Sequence, residues 1–477
     1  MISSEEMAVV DANAEALGVP RKQLMESSGN AVARVAKEHT EPGDSVALVC
    51  GRGNNGGDAM VAARFLNNRD VTVHLLGRPA TITTDIAREN WTALERADAD
   101  ARVVRDSADF DLDDPALVVD AMLGTGVTGA LREPEATVAR RLNEATVPVL
   151  AVDVPSGVDA DTGEAAGTAI EADAVVTFHD AKPGLDALDV DVTVADIGIP
   201  DAAERFVNRG DLLRLSRPTD SHKGDNGEVL VVGGGPYTGA PALAAQAALR
   251  AGADLVRVAC PGGVAREIQG YSENLIVRGF EGDRLDGSVV EDLLDRAAAQ
   301  DTVVFGPGLG SHDDTLDAVA AFLDAYEGTA VVDADALQVV LEVETAATLI
   351  CTPHQGELRK MGGETANDPE QRASLVESFA AELDHTLLVK GAVDVISDGE
   401  HTRLNRTGNP GMTVGGTGDV LAGAVGALAC RLSPHDAAAV GAFANGRAGD
   451  RVVEERGYGL VATDLVDELP AALRRSD

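Results

Sequence analysis

Residues 45–66 read SVALVCGRGNNGGDAMVAARFL. An apolar, β-branched run, SVALVC (45–50), ends in a turn carrying Gly51, Gly53, Gly56 and Gly57, and the helical pattern DAMVAARFLNN (58–68) follows. Strand, glycine turn and helix in that order open a βαβ unit. Such a turn lets backbone N–H groups approach an anion at the helix N-terminus. Gly51-x-Gly53-x-x-Gly56 also meets the dinucleotide fingerprint, with Asp70 near the position expected for a ribose ligand. The segment NNGGD (54–58) adds two amides and a carboxylate, which offer directed hydrogen bonds and cation-binding oxygens beyond a bare backbone cradle.

The same alternation continues outward. Strand-like runs fall at 71–76, 116–120, 147–153, 174–178 and 191–198, with helical stretches such as 29–39 beside them. A polar, strand-poor stretch from Pro200 to His222 interrupts the pattern, which restarts at 228–234, 254–260, 301–306, 329–334, 348–352, 385–391 and 393–397. Alternation of this kind predicts α/β architecture with mostly parallel sheets covered by helices. At 477 residues the chain is too long for one ordinary domain. Two tandem domains are expected, residues 1–215 and 216–477.

The formal net charge is −40, from 79 acidic and 39 basic residues. Nucleic acid is excluded as an expected partner, because its phosphates would be repelled. Only six of the basic residues are lysines (Lys22, Lys37, Lys182, Lys223, Lys360 and Lys390). An acidic, lysine-poor composition resembles proteins of salt-loving archaea, whose self-repulsion is screened by molar salt. Cys50, Cys260, Cys351 and Cys430 form no C-x-x-C pair and sit in apolar runs, so they are read as core fillers. The first residues, MISSEEMAVV, lack a basic, apolar leader pattern, and no window is long and apolar enough for a membrane span. A reduced cytoplasm is the expected location.

Two further strand ends carry chemistry in the first half. VVDAMLGTGVTGALREP (118–134) places Asp120 before a glycine-rich turn, and AVDVPSGVDADTG (151–163) places Asp153 and Ser156 likewise. In open α/β sheets ligands bind outside the carboxyl ends of strands, so one rim collects all three segments. NNGGD, VDAMLGTG, VDVPSGVDADTG, KPG (182–184) and ADIGIP (195–200) together resemble the NAD(P)H-hydrate epimerase, or YjeF N-terminal, family. The resemblance implies a Rossmann-like, three-layer fold that interconverts R and S hydrated NAD(P)H. It implies substrate contacts from Asn54, Asn55, Gly56, Gly57 and Asp58, and from the loop Gly124, Thr125, Gly126, Val127, Thr128, Gly129 and Ala130. It implies proton transfer by Asp153 and a potassium ion held by Asn55, Asp120 and Ser156. Two departures bear on affinity: Ala59 stands where the family has a glycine, and Glu135 where it commonly has a tyrosine.

In the second half, NRTGNPGMTVGGTGDVLAGAVGALA (405–429) sets Gly415, Gly416 and Gly418 before Asp419 and an apolar helix. Successive N–H groups there make an anion hole, with Asp419 placed to take a proton from a hydroxyl. This G-x-G-D loop resembles the ribokinase-like superfamily. With HKGDNG (222–227), GPGLG (306–310) and TPHQGE (352–357), it is similar to the NAD(P)H-hydrate dehydratase family. The resemblance implies an α/β/α sandwich that dehydrates S-hydrated NAD(P)H using ADP or ATP with magnesium. Asp419 would be the catalytic carboxylate. Ala240, Gly308, Gly310 and His354 would line the hydrated dinucleotide. Lys390, Gly391, Ala392, Val393, Asp394 and Gly418 would hold the adenine nucleotide, and Asn405 and Asn409 would orient the loop. Assembly into a homo-oligomer is a further expectation of the resemblance. The alternatives are a ribokinase-type kinase carrying an N-terminal nucleotide-binding module, an interaction module, and a dehydrogenase, for which no hydride-transfer site is found.

Overall fold

The computed structural model describes residues 1–126 and 129–475, which form two compact units, Met1–Asp201 and Ala202–Asp477. The first unit holds β1 (Ser45–Cys50), β2 (Asp70–Leu76), β3 (Asp100–Val104), β4 (Leu117–Ala121), β5 (Val149–Val152), β6 (Ala174–Phe178) and β7 (Asp191–Ala195). Its helices are α1 (Ser4–Ala16), α2 (Arg21–Glu38), α3 (Asn54–Phe65), α4 (Asp85–Arg96) and α5 (Glu135–Glu144). All neighbouring strands are parallel, in the order β3-β2-β1-β4-β5-β6-β7. The apolar runs of β4, β5 and β6 are buried throughout, as a sheet covered on both faces requires. Strand order reverses between β1 and β4, and the crevice there is where such sheets bind ligands. The glycines close it tightly. A Cβ on Gly51 would stand 1.8 Å from the Met122 carbonyl oxygen, and one on Gly56 would stand 2.2 Å from that of Gly51.

The second unit contains α6 (Ala202–Arg205), α7 (Gly239–Arg250), α8 (Ala265–Gln269), α9 (Val290–Ala297) and α10 (Asp313–Ala325). It continues with α11 (Gln355–Lys360), α12 (Pro369–Leu383), α13 (Thr417–Ala429), α14 (Pro434–Arg456) and α15 (Ala462–Ala472). Its strands are β8 (Glu228–Val232), β9 (Leu255–Pro261), β10 (Ile276–Phe280), β11 (Thr302–Phe305) and β12 (Thr329–Val332). Then come β13 (Thr348–Cys351), β14 (Thr386–Val389), β15 (Asp394–Ser397) and β16 (Thr402–Asn405). The sheet order is β10-β9-β8-β11-β12-β13-β14-β15-β16, parallel through β14 and antiparallel beyond it. The period-2 alternation of β8 feeds both faces. Val229 and Val231 pack with Ala244, Val425 and Val440, whereas Leu230 and Val232 pack with Leu293, Phe322 and Val376. The result is the expected α/β/α sandwich.

The units divide at Asp201/Ala202, earlier than the 215/216 boundary read from the sequence. The segment after Ala202 is bound into the second unit. The Val207 N–H donates to the Leu404 carbonyl beside β16, and buried Asp211 pairs with Arg403 at 3.1 Å. Three strands, β3, β10 and β16, were not legible as apolar runs. All three lie at sheet edges, and β3 and β10 are mostly exposed or half-exposed, so polar side chains break their patterns. No helix among the described residues is long and apolar enough to cross a membrane.

Candidate active sites

At the rim of the first unit, the segments after β1, β4 and β5 are tied by one hydrogen-bond network. Asn55 Nδ2 donates to the Leu123 carbonyl at 2.8 Å, and the Leu123 N–H donates to Ser156 Oγ at 2.9 Å. Ser156 donates from Oγ to Asp120 Oδ1 at 2.7 Å and from its backbone N–H to Oδ2 at 2.8 Å. The three expected potassium ligands are therefore brought together around Leu123. Asp120 is fully buried, and burial pushes its carboxyl up to about 6 despite the bonds from Ser156 and Met122. Oxygens of an amide, a hydroxyl, a carbonyl and a buried carboxylate are a donor set that fits a monovalent cation.

Asp153 follows β5 in the left-handed region, at φ +69°. Its Oδ1 accepts from Thr177 Oγ1 at 3.1 Å and lies 3.4 Å from the Nζ of Lys182. Lys182 is fully buried and donates to Thr177 Oγ1 and to the carbonyls of Phe178 and Asp180, all within 3.1 Å. Sequence reasoning assigned no role to Lys182 or Thr177. The signals were present, since KPG belongs to the motif set and lysine is scarce. Asp58 is more enclosed than expected: it is buried under α2 and accepts from Ser28 Oγ at 2.9 Å. Burial, with Asp153 and Asp11 nearby, holds its carboxyl well above the usual range. Asp11 of α1 is itself pushed up to about 6, chiefly by burial.

Several expectations shift. Asp70 opens β2 opposite Ser45, at the far end of the sheet from the glycine turn, so it has no ribose role. The reason is register: a parallel partner puts its first residue beside the first residue of β1. Ala59 is fully buried inside α3, so its methyl group fills core and does not face the rim. Glu135 opens α5, is 6% exposed and lies 3.9 Å from the guanidinium of Arg52 in the glycine turn. Of the second substrate loop, Gly124, Thr125, Gly126, Gly129 and Ala130 join β4 to α5, while Val127 and Thr128 lie outside the described residues.

In the second unit the ammonium of Lys390, just past β14, is the hub. It lies 2.9 Å from Asp333 Oδ1 and 3.9 Å from Glu357, and a Cβ on Gly418 would stand 3.4 Å from it. Burial alone would lower the Lys390 pKa, but Asp333 and Glu357 outweigh it and the ammonium is held charged. Asp333, which also accepts from Thr352 at 2.8 Å, was not singled out from the sequence, although VVDADAL (331–337) contains it. Helix α13 is capped by Gly416 at φ +98° with no side-chain cap. Asp419, in its first turn, is therefore not the cap and has no hydrogen-bond partner among the described residues. Burial first, then Asp333, pushes its carboxyl up to about 7 against the pull of Lys390.

His354 caps α11. Its Nδ1 accepts from the N–H groups of Gly356 and Glu357, and Nε2 of the exposed ring lies 3.5 Å from Glu357 Oε1. The strand-end pairing of Lys390 with Pro353 keeps it beside the hub. Ala240 and Gly308 meet at the start of α7, where a Cβ on Gly308 would stand 3.3 Å from that of Ala240 and 2.4 Å from the Tyr237 carbonyl, and Gly310 faces Pro236 just before that helix.

A cavity of about 550 Å³ opens between the turn 390–394, the loop 407–413, the first turns of α13 and the middle of α14. Lys390, Gly391, Ala392, Asp394 and Gly418 line it, and Val393 lies in the same turn. Asp394 closes that turn, accepting from Gly391 N–H and from Asn405, each at 2.9 Å, while burial pushes its carboxyl up to about 6. Asn409 accepts from Gly411 N–H and donates to Asp450, each at 2.9 Å, so both asparagines do shape the loop. All four cysteines are free, and burial raises their thiols well above the ordinary value, as core fillers require.

Comparison with known proteins finds a match for each half of the chain. The NAD(P)H-hydrate dehydratase family model matches residues 229–471, and that of the YjeF-related protein N-terminus matches residues 21–184. The bifunctional NAD(P)H-hydrate repair enzyme Nnr of Methanothermobacter thermautotrophicus is 44% identical over 98% of this chain and 94% of its own. Its counterpart from Pyrobaculum aerophilum is 43% identical over 99% of this chain and 98% of its own. A ribokinase-like superfamily protein from Enterococcus faecalis covers 56% of this chain and 95% of its own, at TM-score 0.50 and 23% identity. A hypothetical protein from Streptococcus mutans does so at 56% and 98%, TM-score 0.51 and 24% identity. These two likenesses bear on the fold alone. By identity over its whole length and by both of its halves, the chain belongs to the family of bifunctional NAD(P)H-hydrate repair enzymes.

Proposed function

We propose that the first unit interconverts the R and S forms of hydrated NAD(P)H and that the second dehydrates the S form with ADP or ATP. The observation that carries this reading is Asp419, an unpartnered carboxyl pushed up to about 7 beside the ammonium of Lys390 at the N-terminus of α13. A base with a pKa near neutrality is suited to take the proton of the ring hydroxyl. The hydroxyl oxygen then accepts the terminal phosphoryl group as its P–O bond to the nucleotide breaks and AMP or ADP is released, and phosphate leaves with the C–O bonding pair. Loss of the neighbouring ring proton restores the double bond. The N–H groups of the α13 N-terminus and Lys390 hold the phosphate charge. Among the described residues no three carboxylate, histidine or cysteine side chains converge as a metal site, so magnesium would ride on the nucleotide phosphates.

In the first unit, Asp153, backed by Lys182, takes the proton of the ring hydroxyl as the adjoining C–N bond opens to an aldehyde, its bonding pair going to the ring nitrogen, and returns the proton when the nitrogen recloses on the other face, while Asn54–Asp58 and 124–130 hold the dinucleotide. Asn55, Asp120 and Ser156, with the Leu123 carbonyl, would hold a potassium ion, which supplies charge opposite the buried Asp120 and the substrate phosphates. The enzyme would act in the cytoplasm of a salt-loving archaeon, as a homo-oligomer. Family membership over both halves leaves the kinase reading without a distinguishing observation.

The test is an absorbance assay on mixed R and S hydrated NADPH, with magnesium and ADP in molar potassium chloride. Full recovery of the reduced-nicotinamide band, faster than spontaneous epimerisation, is expected. Recovery that stalls at the S fraction removes the epimerase assignment, and no recovery with ADP or ATP removes the dehydratase assignment.

A further inference from the structure

The cavity beside Lys390 contains a side chain that the reaction does not use. Asn445, in the middle of α14, is 6% exposed and lines the cavity. Its Nδ2 lies 3.5 Å from the carbonyl oxygen of Thr417, the first residue of α13, while its buried Oδ1 has no hydrogen-bond partner. Turning the amide over would set Oδ1 against that carbonyl, so the orphan must be the oxygen. Buried amide oxygens are rarely left unpaired, and an acceptor on a cavity wall is a place for a ligand donor.

The surroundings indicate which donor. One end of the cavity is the phosphate end, with Lys390 and the Gly418 N–H at the start of α13. The wall near Asn445 is apolar: Ala442 lies one turn back on α14, Leu421 one turn on from Thr417 along α13, and Met412 reaches in from the loop. The hydroxyls of Thr407 and Thr417, which also line the cavity, already donate to protein oxygens, so Asn445 Oδ1 is the side-chain acceptor there without a partner. An acceptor of that kind beside apolar side chains suits a flat heterocycle carrying an amino group better than a sugar, whose hydroxyls need several partners.

We infer that Asn445 reads the base of the nucleotide, its Oδ1 accepting from the 6-amino group of adenine and so rejecting 6-oxo purines. This rests on the reading that the cavity holds the nucleotide. In a 6-oxo purine an acceptor would face Oδ1, leaving both oxygens unpaired and buried.

Calorimetric titration of the full chain in magnesium tests it with ADP, IDP and 2′-deoxy-ADP. ADP should bind at least tenfold tighter than IDP and within about threefold of 2′-deoxy-ADP. Asn445→Leu, close in volume, should weaken ADP about tenfold, leave IDP nearly unchanged, and bring their ratio towards one. Equal binding of ADP and IDP by the unaltered protein, which needs no variant to fold, overturns the inference. So does a loss confined to 2′-deoxy-ADP, which would assign Oδ1 to the ribose. Lys390→Ala separates the two readings. It should abolish ADP binding, and unchanged binding would place the nucleotide elsewhere and remove the site together with Asn445's role.

Discussion

Asp153 Oδ1 lies 3.4 Å from the Nζ of Lys182, whose side chain is 1% exposed. Neither residue occupies an easy position. Asp153 adopts φ +69°, which side chains other than glycine rarely take, and the ammonium of Lys182 is out of water. Strain of this kind persists where the surrounding structure over-determines it, as at a reaction centre. The three oxygens around Lys182 (Thr177, Phe178 and Asp180) satisfy its donors, so the pair is held in one geometry.

Lys182→Met should therefore separate the two activities. It leaves Asp153 without its counter-charge and empties three acceptors, destabilising the first unit by about 3–5 kcal/mol. Epimerisation should fall at least about 100-fold. Dehydration of purified S hydrate should stay within about twofold of the unaltered protein. Time courses on mixed hydrates would then show a fast S phase and a residual phase at the spontaneous rate. An unchanged second phase would exclude Lys182 from epimerisation.

Asp419 sets a pH profile. As a base it works when deprotonated, and its carboxyl is pushed up to about 7, so the dehydration rate should fall about tenfold per unit below pH 7 and level off above it. Asp419→Asn should remove the profile and cost roughly 10²–10⁴ in rate while leaving epimerisation intact. Single-turnover rates from pH 5.5 to 8.5 check both. A profile unchanged in position by a substitution at Asp333, the charged neighbour that raises Asp419, would contradict the electrostatic account.

How much of this was legible depended on what each residue answers to. Strand ends carrying Asp120, Asp153 and Lys390 could be read because β4, β5 and β14 are buried runs of mostly apolar residues, so a charged residue at or just past their ends stands out. Lys182 and Asp333 could not be ranked, because their roles arise from partners 29 and 57 positions away in the chain. Asn445 lies inside a helix rich in alanine, and only the packing of α14 against α13 reveals its unpaired oxygen. The burial of Asp58 was not legible either, because composition gives no sign that α2 covers it.

The potassium ion proposed at Asp120 would be linked to stability. The Asp120 carboxyl is raised from 3.8 to about 6, so this contribution is fully present below 3.8 and is lost as pH rises through 6. Near pH 8 the buried charge costs about 3 kcal/mol without a counter-ion. Potassium, compared with choline at equal ionic strength, should raise the unfolding midpoint at pH 8 and have little effect at pH 5. Asp120→Asn should abolish that increment. An increment that survives the substitution would place the ion elsewhere.

Bulk salt should act separately from potassium. With 79 acidic and 39 basic residues, the chain carries a formal excess of 40 negative charges. Ion pairs such as Lys22–Glu89 and Arg88–Asp85 are exposed, so each contributes little and salt weakens them. If pairs dominated, salt would destabilise the fold. If repulsion among the excess carboxylates dominates, salt stabilises it, because the Debye length falls from about 30 Å at 0.01 M to about 3 Å at 1 M. The 40-charge excess decides for repulsion. Unfolding midpoints should rise in sodium and potassium chloride alike from dilute buffer to molar salt, and circular dichroism should show the fold loosening on dialysis. A spectrum unchanged in dilute buffer would mean that the acidic surface is tolerated without screening.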